Sequence, residues 1–294
     1  MQRIIGDVYC HLDFVSFAEA IPYIFITESI GVNMQISFSK YQGAGNDFIL
    51  IKDTENIFPE KDHKLIQKLC DRRFGIGADG LMLLRSSDKN DFIMLFYNAD
   101  GFEGTMCGNG GRCLVKFALD SGYINKTEDI RFDAVDGEHE ALILPDGSVS
   151  LKMRNVKGIV KKGNGWGLDT GSIHHVEYVD KLVDMDVYGR GSALRGHEMY
   201  APEGCNVNFI QLGKNGDIMI RTFERGVENE TLACGTGSVA AAIVHHYLGN
   251  RKEEYVVRAK GGTLKVRFFS EGQDYKNIWL QGPATFVYKG EWSE

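Results

Sequence analysis

Met106-Cys107-Gly108-Asn109-Gly110-Gly111 and Ala233-Cys234-Gly235-Thr236-Gly237-Ser238 are two versions of one turn, and each runs directly into an apolar stretch of helical character. Both cysteines are therefore predicted at the first turn of a helix. There the unpaired backbone N–H groups and the positive end of the helix dipole favour thiolate over thiol. Flanking glycines remove side chains, so a carboxylate can approach those N–H groups. Such a turn is an anion seat and an activated base together. A single cysteine among small residues is more often a buried bystander. A matched pair in matching context reverses that reading.

The match extends upstream. Ile93-Met94-Leu95-Phe96-Tyr97-Asn98-Ala99-Asp100-Gly101 leads to Cys107, and Ile218-Met219-Ile220-Arg221-Thr222-Phe223-Glu224-Arg225-Gly226 leads to Cys234. In both, a β-rich run ends in a polar residue, a glycine follows, and the thiol comes 9 residues after Asn98 or 10 after Glu224. The copies are offset by 127 residues. An internal repeat of that length suits two domains of ordinary size related by a pseudo-twofold axis. A cleft between them would set the cysteines face to face.

Around the turns the chain reads as strand-rich with few helices. Gln35-Ile36-Ser37-Phe38-Ser39-Lys40-Tyr41 alternates as a first strand, Phe48-Ile49-Leu50-Ile51 and Leu81-Met82-Leu83-Leu84 are short apolar strands, and residues 63–72 have helical spacing. Residues 140–144 and 148–153 flank Pro145-Asp146-Gly147, a hairpin signal. Val239-Ala240-Ala241-Ala242-Ile243-Val244 is apolar on every side, the mark of a helix buried within a sheet. A strand-wrapped central helix is the predicted motif.

Composition sets the class. With 294 residues, 43% hydrophobic content and 5 prolines, the chain can bury two substantial cores without disulfides and reads as a soluble globular enzyme. A net charge of −7 with scattered basic groups argues against nucleic acid or an anionic membrane as partner. Six cysteines, at positions 10, 70, 107, 113, 205 and 234, lack the dense spacing of a secreted framework, so a reducing cytoplasm is expected. Cys107 and Cys113 have no second ligand pair at zinc spacing, and no metal site is expected. Cys113 is read as packed in the helix core, and Cys10, Cys70 and Cys205 as inert. His174-His175 and His245-His246 are read as surface pairs, and Glu224-Arg225 by itself as a strand-end ion pair as readily as a ligand contact. Residues 1–33 are read as an upstream extension without a catalytic role, because their apolar stretch is broken by acids and too short to span a membrane.

Tyr41-Gln42-Gly43-Ala44-Gly45-Asn46-Asp47-Phe48, Asp71-Arg72-Arg73-Phe74-Gly75-Ile76-Gly77-Ala78-Asp79-Gly80, Tyr97-Asn98-Ala99-Asp100-Gly101, Cys107-Gly108-Asn109-Gly110, Glu224-Arg225-Gly226 and Ala233-Cys234-Gly235-Thr236-Gly237 occur in one order. Together they closely resemble the diaminopimelate epimerase family from Met34 to the C-terminus. The resemblance implies an α/β (α+β) fold of two pseudo-symmetric domains, each a curled, mostly antiparallel sheet or barrel around a central helix. It divides the chain into an extension over 1–33, an N-terminal half over 34–153 to which 283–294 return, and a C-terminal half over 154–282. The implied reaction interconverts L,L- and meso-diaminopimelate without a cofactor, in lysine and peptidoglycan precursor synthesis.

Inverting an α-carbon means removing a proton from one face and delivering one to the other, so a base and an acid must stand on opposite sides. By resemblance, Cys234 takes the proton of the L,L substrate and Cys107 protonates the opposite face. His174 and Glu224 match groups that tune the thiols. Asn46, Asn98, Asn206, Glu224 and Arg225 match substrate contacts, with Arg225 suited to a bidentate grip on the distal carboxylate. The N–H groups of Gly108, Asn109, Gly235 and Thr236 would hold the reacting carboxylate, and Tyr288 matches a contact of a homodimer. One position departs: the family usually has Asn-Pro before His174, whereas this chain has Ser172-Ile173, leaving a shorter hydrogen-bonding group.

Two other readings compete. Another cofactor-independent racemase or isomerase of the same fold is the nearer one, but proline racemases generally carry His where Asn109 stands, and phenazine-type isomerases lack the paired thiols. A non-enzymatic anion-binding module would use the glycine turns only to hold phosphate or carboxylate.

Overall fold

The internal repeat is visible in the strand pairings of a computed structural model that describes residues 34–293. The extension over 1–33 and Cys10 lie outside the described residues. In the first half, strand Gln35–Gly43 pairs antiparallel with Asn46–Lys52, which pairs parallel with Gly80–Arg85, which pairs antiparallel with Phe92–Asn98. After an intervening helix, Ile130–Ala134 pairs parallel with that last strand, and Gly137–Ile143 and Val149–Met153 complete an antiparallel run. The second half repeats the same succession with Gly165–Asp169, Ile173–Tyr178, Asn206–Leu212, Ile218–Glu224, Tyr255–Ala259, Gly262–Glu271 and Asp274–Gly282. Two similar halves of mixed, mostly antiparallel sheet result, as expected.

Four α-helices are present among the described residues: α1 (His63–Cys70), α2 (Gly108–Asp120), α3 (Val187–Arg195) and α4 (Gly235–Tyr247). The two long ones, α2 and α4, lie inside their sheets. Residues Val239 to Val244 of α4 are all wholly buried, and they pack with Val176, Ile210, Ile220, Val257, Leu264 and Leu280 from the surrounding strands. A run of alanines lets strands approach α4 from every direction. The two short helices each cover an outer sheet face, α1 over Ile49, Ile51, Leu81 and Leu83, and α3 beside Val207, Phe209 and Phe223.

Alternation along the strands explains why so many apolar runs read as continuous. Phe48, Leu50, Met82 and Leu84 face α2, while Ile49, Ile51, Leu81 and Leu83 face the opposite way onto α1. A strand buried on both faces needs apolar residues at every position.

Strand Asp274–Gly282 belongs to both halves, pairing with Gly262–Glu271 on one side and with Val149–Met153 on the other. The last strand, Thr285–Ser293, then returns to pair with Gln35–Gly43. All the strands thereby form a single connected sheet.

Candidate active site

Each cysteine is the residue immediately before its helix, Cys107 before α2 and Cys234 before α4, and both have extended backbones there. The two helix starts converge. Leu280, on the strand shared by both halves, lies against Gly235 and close to Gly108. Asn109 of α2 reaches across and donates from Nδ2 to the carbonyl of Ala233, 3.1 Å away. The approach is tighter at Gly235, where a β-carbon would stand 2.9 Å from the end of the Leu280 side chain, than at Gly108, where it would make an ordinary contact at 3.8 Å.

The two thiols have different neighbours. Cys107 is half-buried, and its Sγ lies 3.7 Å from the Asn46 Oδ1 acceptor. Asp79 determines which end of that amide faces the sulfur, because Asn46 Nδ2 donates to Asp79 Oδ2 at 2.6 Å. Asp79 and Asp47 are in turn held by Arg72. Cys234 is only 6% exposed. Its Sγ accepts from the Gly237 N–H at 3.4 Å and lies 3.4 Å from Thr236 Oγ1.

Burial pushes both thiols above their ordinary range, and the negative charge of Glu224 adds to this at each. Helix-start N–H groups do pull the other way, Gly110 and Asn109 on Cys107 and Gly237 on Cys234. Helix-start position alone predicts that pull; the dehydration that outweighs it comes from the tertiary packing. Glu224 is itself raised by burial, with Thr231 Oγ1 donating to its Oε2 at 2.9 Å.

Beneath the Cys234 turn lies a hydrogen-bonded polar ladder on the inner sheet face. Asn208 Nδ2 donates to the His175 carbonyl at 3.0 Å, which fixes the amide, and Asn208 Oδ1 accepts from Thr222 Oγ1 at 3.0 Å. The same Nδ2 stands 3.0 Å from His174 Nδ1, so that nitrogen is an acceptor and the imidazole proton sits on Nε2. Nε2 then donates to Ser172 Oγ at 3.0 Å. Burial, aided by the charge of Arg225, holds the His174 pKa down to about 3, so the ring is neutral. A β-carbon at Gly237 would come 2.3 Å from Asn208 Oδ1, so only glycine lets the start of α4 sit on this ladder.

Ser172 and Asn206 lie together, with Asn206 Nδ2 donating to Ser172 Oγ at 3.1 Å and Asn206 Oδ1 accepting from the Arg225 N–H at 2.9 Å. The Arg225 guanidinium donates to the Glu203 carbonyl at 3.0 Å, and among the described residues no ion pair joins it to Glu224. The strand-end ion-pair reading therefore fails. Asn98 stands apart: it is exposed at the end of its strand and makes no side-chain hydrogen bond to the other candidates among the described residues. Tyr288 is 43% exposed on the terminal strand and packed edge-on against Phe38.

The surface reading of the histidine pairs is also corrected. His174, His175 and His245 are buried, and His246 is half-buried with hydrogen bonds to Tyr255 and Ser270. Each has a partner that offsets its dehydration: Tyr200 for His175 and Tyr178 for His245. Cys113 packs in the α2 core as expected, and burial raises Cys70 and Cys205 to about 12. Asn208 and Arg112 were missed. Asn208 is a polar residue at an inward position of an apolar strand, a detectable signal; Arg112 had none.

Residues 38–159 and 168–287 match the family model for diaminopimelate epimerase. A diaminopimelate epimerase of Flavobacterium psychrophilum is 48% identical over 85% of this chain and 97% of its own length. One from Chlorobaculum tepidum is 44% identical over 84% of this chain and 98% of its own. The chain belongs to the diaminopimelate epimerase family. Members of that family are isomerases. Solved structures that share the fold include a PhzF-family phenazine biosynthesis protein of Bacillus anthracis, at TM-score 0.71 and 15% identity over 88% of this chain and 99% of that one. A probable proline racemase of Agrobacterium radiobacter superposes at TM-score 0.63 and 15% identity over 87% and 92%. No described helix is long and apolar enough to cross a membrane.

Proposed function

We propose that the protein interconverts L,L- and meso-diaminopimelate by passing protons at the α-carbon between Cys107 and Cys234, with no cofactor. The observation that carries this reading is the convergence of two cysteine-bearing helix starts on Leu280 and Asn109, with Glu224 acting on both sulfurs. The nearness of the two helix starts would let one thiolate and one thiol flank a single stereocentre.

The α-proton of an amino acid is a very weak acid, so two features must help. Thiols pushed up by burial are stronger bases once ionised, which narrows the gap to the carbon acid. The N–H groups of Gly108, Asn109, Gly235 and Thr236 would receive the reacting carboxylate from two helix starts at once, and each oriented donor is worth roughly 3 kcal/mol as charge develops. Asn46, Asn98, Asn206, Glu224 and Arg225 would hold the rest of the substrate, with Arg225 on the distal carboxylate. Ser172 fits this scheme despite its departure from the family pattern. Its Oγ already accepts from His174 and Asn206, so its own hydrogen is left as a donor for a ligand oxygen. His174 would tune the site through that hydroxyl as a neutral ring.

The enzyme would act in the cytoplasm as a homodimer. Thr285–Ser293 supports the dimer, since among the described residues it pairs only with Gln35–Gly43 and exposes Phe286, Val287 and Tyr288. Incubation with diaminopimelate in D2O tests the activity. Deuterium should enter the α-carbon as the isomers equilibrate; an unlabelled, unconverted substrate overturns the proposal and leaves a binding module.

A further inference from the structure

Arg112, one turn into α2, is wholly buried, and among the described residues no carboxylate pairs with it. Its donors end on neutral oxygens: Asn109 Oδ1 at 2.7 Å, the Gly108 carbonyl at 3.2 Å and the Pro283 carbonyl at 3.3 Å. Strand 274–282 closes over it, since a β-carbon at Gly282 would stand 3.0 Å from the guanidinium carbon. This is a costly place for a cation. It is dehydrated, and it lies at the helix end that is already positive. A charge so placed calls for an anion nearby: the ionisable groups beside it among the described residues are the Cys113 and Cys107 thiols, and of the two Cys107 lies at the helix start, where a bound carboxylate could also come.

The hydrogen bonds show how the charge would be felt. The Gly108 carbonyl and the Asn109 N–H are two ends of one peptide unit, so a guanidinium on the oxygen polarises the N–H at the opposite end. That N–H belongs to the helix start that Cys107 opens, two residues after the cysteine. The second contact fixes an amide. With Arg112 on Oδ1, Asn109 must present Nδ2 to the Ala233 carbonyl and to Asn46 Oδ1, and the first of these bonds crosses from one half to the other beside Cys234.

We propose that Arg112 is a positioning residue: through Asn109 it locks the two cysteine turns together, and through the Gly108–Asn109 peptide it draws Cys107 toward its thiolate. Other groups around Cys107 act against it. Glu224 from the facing half and the neighbouring Cys113 and Cys234 all disfavour a second negative charge, as does burial. Removing the guanidinium therefore moves Cys107 ionisation to higher pH.

The test uses full-length Arg112→Gln and Arg112→Lys, with iodoacetamide alkylation of Cys107 followed against pH by peptide mass, alongside thermal unfolding and kcat and KM for diaminopimelate. Arg112→Gln should shift the alkylation profile upward by about one pH unit or more, a tenfold loss of thiolate at fixed pH, and lower kcat more than KM. Arg112→Lys should keep the profile near that of the unaltered protein yet still lower kcat, because a point charge cannot fork between Gly108 and Asn109. A folded Arg112→Gln protein with a profile within about 0.3 pH unit of the original overturns the proposal. So does a lysine variant shifted as far as the glutamine one. Should Arg112→Gln fail to fold, the lysine variant decides: an unshifted profile with lowered kcat supports the role, and a shifted profile refutes it. The kinetic consequence rests on Cys107 being a proton carrier, but alkylation needs no turnover. A wild-type protein that leaves diaminopimelate unlabelled would sink the epimerase reading while the alkylation profiles still judged Arg112.

Discussion

The Cys107 and Cys234 turns occupy equivalent places in a duplicated topology, yet their surroundings differ in kind. Cys107 is half-buried against an amide oxygen, with a buried cation one turn behind it. Cys234 is almost sealed, faces N–H and hydroxyl groups, and opens a helix whose first turn carries only small, uncharged residues. An acceptor beside a sulfur favours S–H; a donor beside it favours S⁻. The repeated topology thus places the two turns equivalently, and their differing contacts make them unequal.

The comparison breaks most visibly if either sulfur proves dispensable. Cys107→Ala and Cys234→Ala should each cut epimerisation by at least about a thousandfold, within the range expected for loss of a general acid or base, while circular dichroism stays unchanged. Near-normal turnover by either variant, measured by chiral chromatography, would end the two-thiol scheme.

Equivalent glycines give a second test. Gly110 and Gly237 hold matching positions, three residues after their cysteines. A β-carbon at Gly237 meets an Asn208 oxygen locked by hydrogen bonds at both ends, whereas one at Gly110 meets the terminal methyl of Met82, 1.9 Å away but free to swing. Gly237→Ala should destabilise by about 3 kcal/mol, and Gly110→Ala by roughly 1 kcal/mol. Equal losses in urea unfolding would show that Asn208 is not rigid.

Among the described residues the polar ladder exists only in the second half, so acid should act on that half. His174 has its folded pKa lowered to about 3, against an unfolded value near 6.5. Stability from keeping it neutral is present above that unfolded value and is lost as pH falls from about 6.5 toward 3, by up to about 1.4 kcal/mol per unit. The pH dependence of the urea midpoint should flatten by that slope in His174→Asn, although His175, His245 and His246, also lowered by burial, keep some of it. An unchanged slope would mean that His174 is not held neutral. The smallest effect should be in alkylation order: Cys107 should react several-fold faster than Cys234, following exposure, and peptide mass spectrometry reads the ratio.

Much of this was legible in the sequence, for reasons that particular residues make plain. Val239 to Val244 could only be an interior helix, and Pro145-Asp146-Gly147 joins the two strands it was expected to join. The cysteine turns announced themselves by repeating. Helix α3 did not, since Gly189 and Gly191 interrupt its pattern; Gly191 is there because a β-carbon would fall 2.4 Å from that of Phe223. The histidines were misjudged because a single side chain's partner is a tertiary fact: His174 needs Asn208, 34 residues away, and His245 needs Tyr178, 67 residues away. Arg112 was invisible for the same reason. An arginine on a helix normally reaches water, and only the strand that closes over it prevents that.

That strand, Asp274–Gly282, has a mechanical consequence. Because it is stitched by backbone hydrogen bonds to a neighbour on each flank, prising the lobes apart would rupture a ladder of them. The two halves are therefore coupled through a continuous backbone ladder rather than through a free linker, and twisting one against the other must be taken up by this common strand.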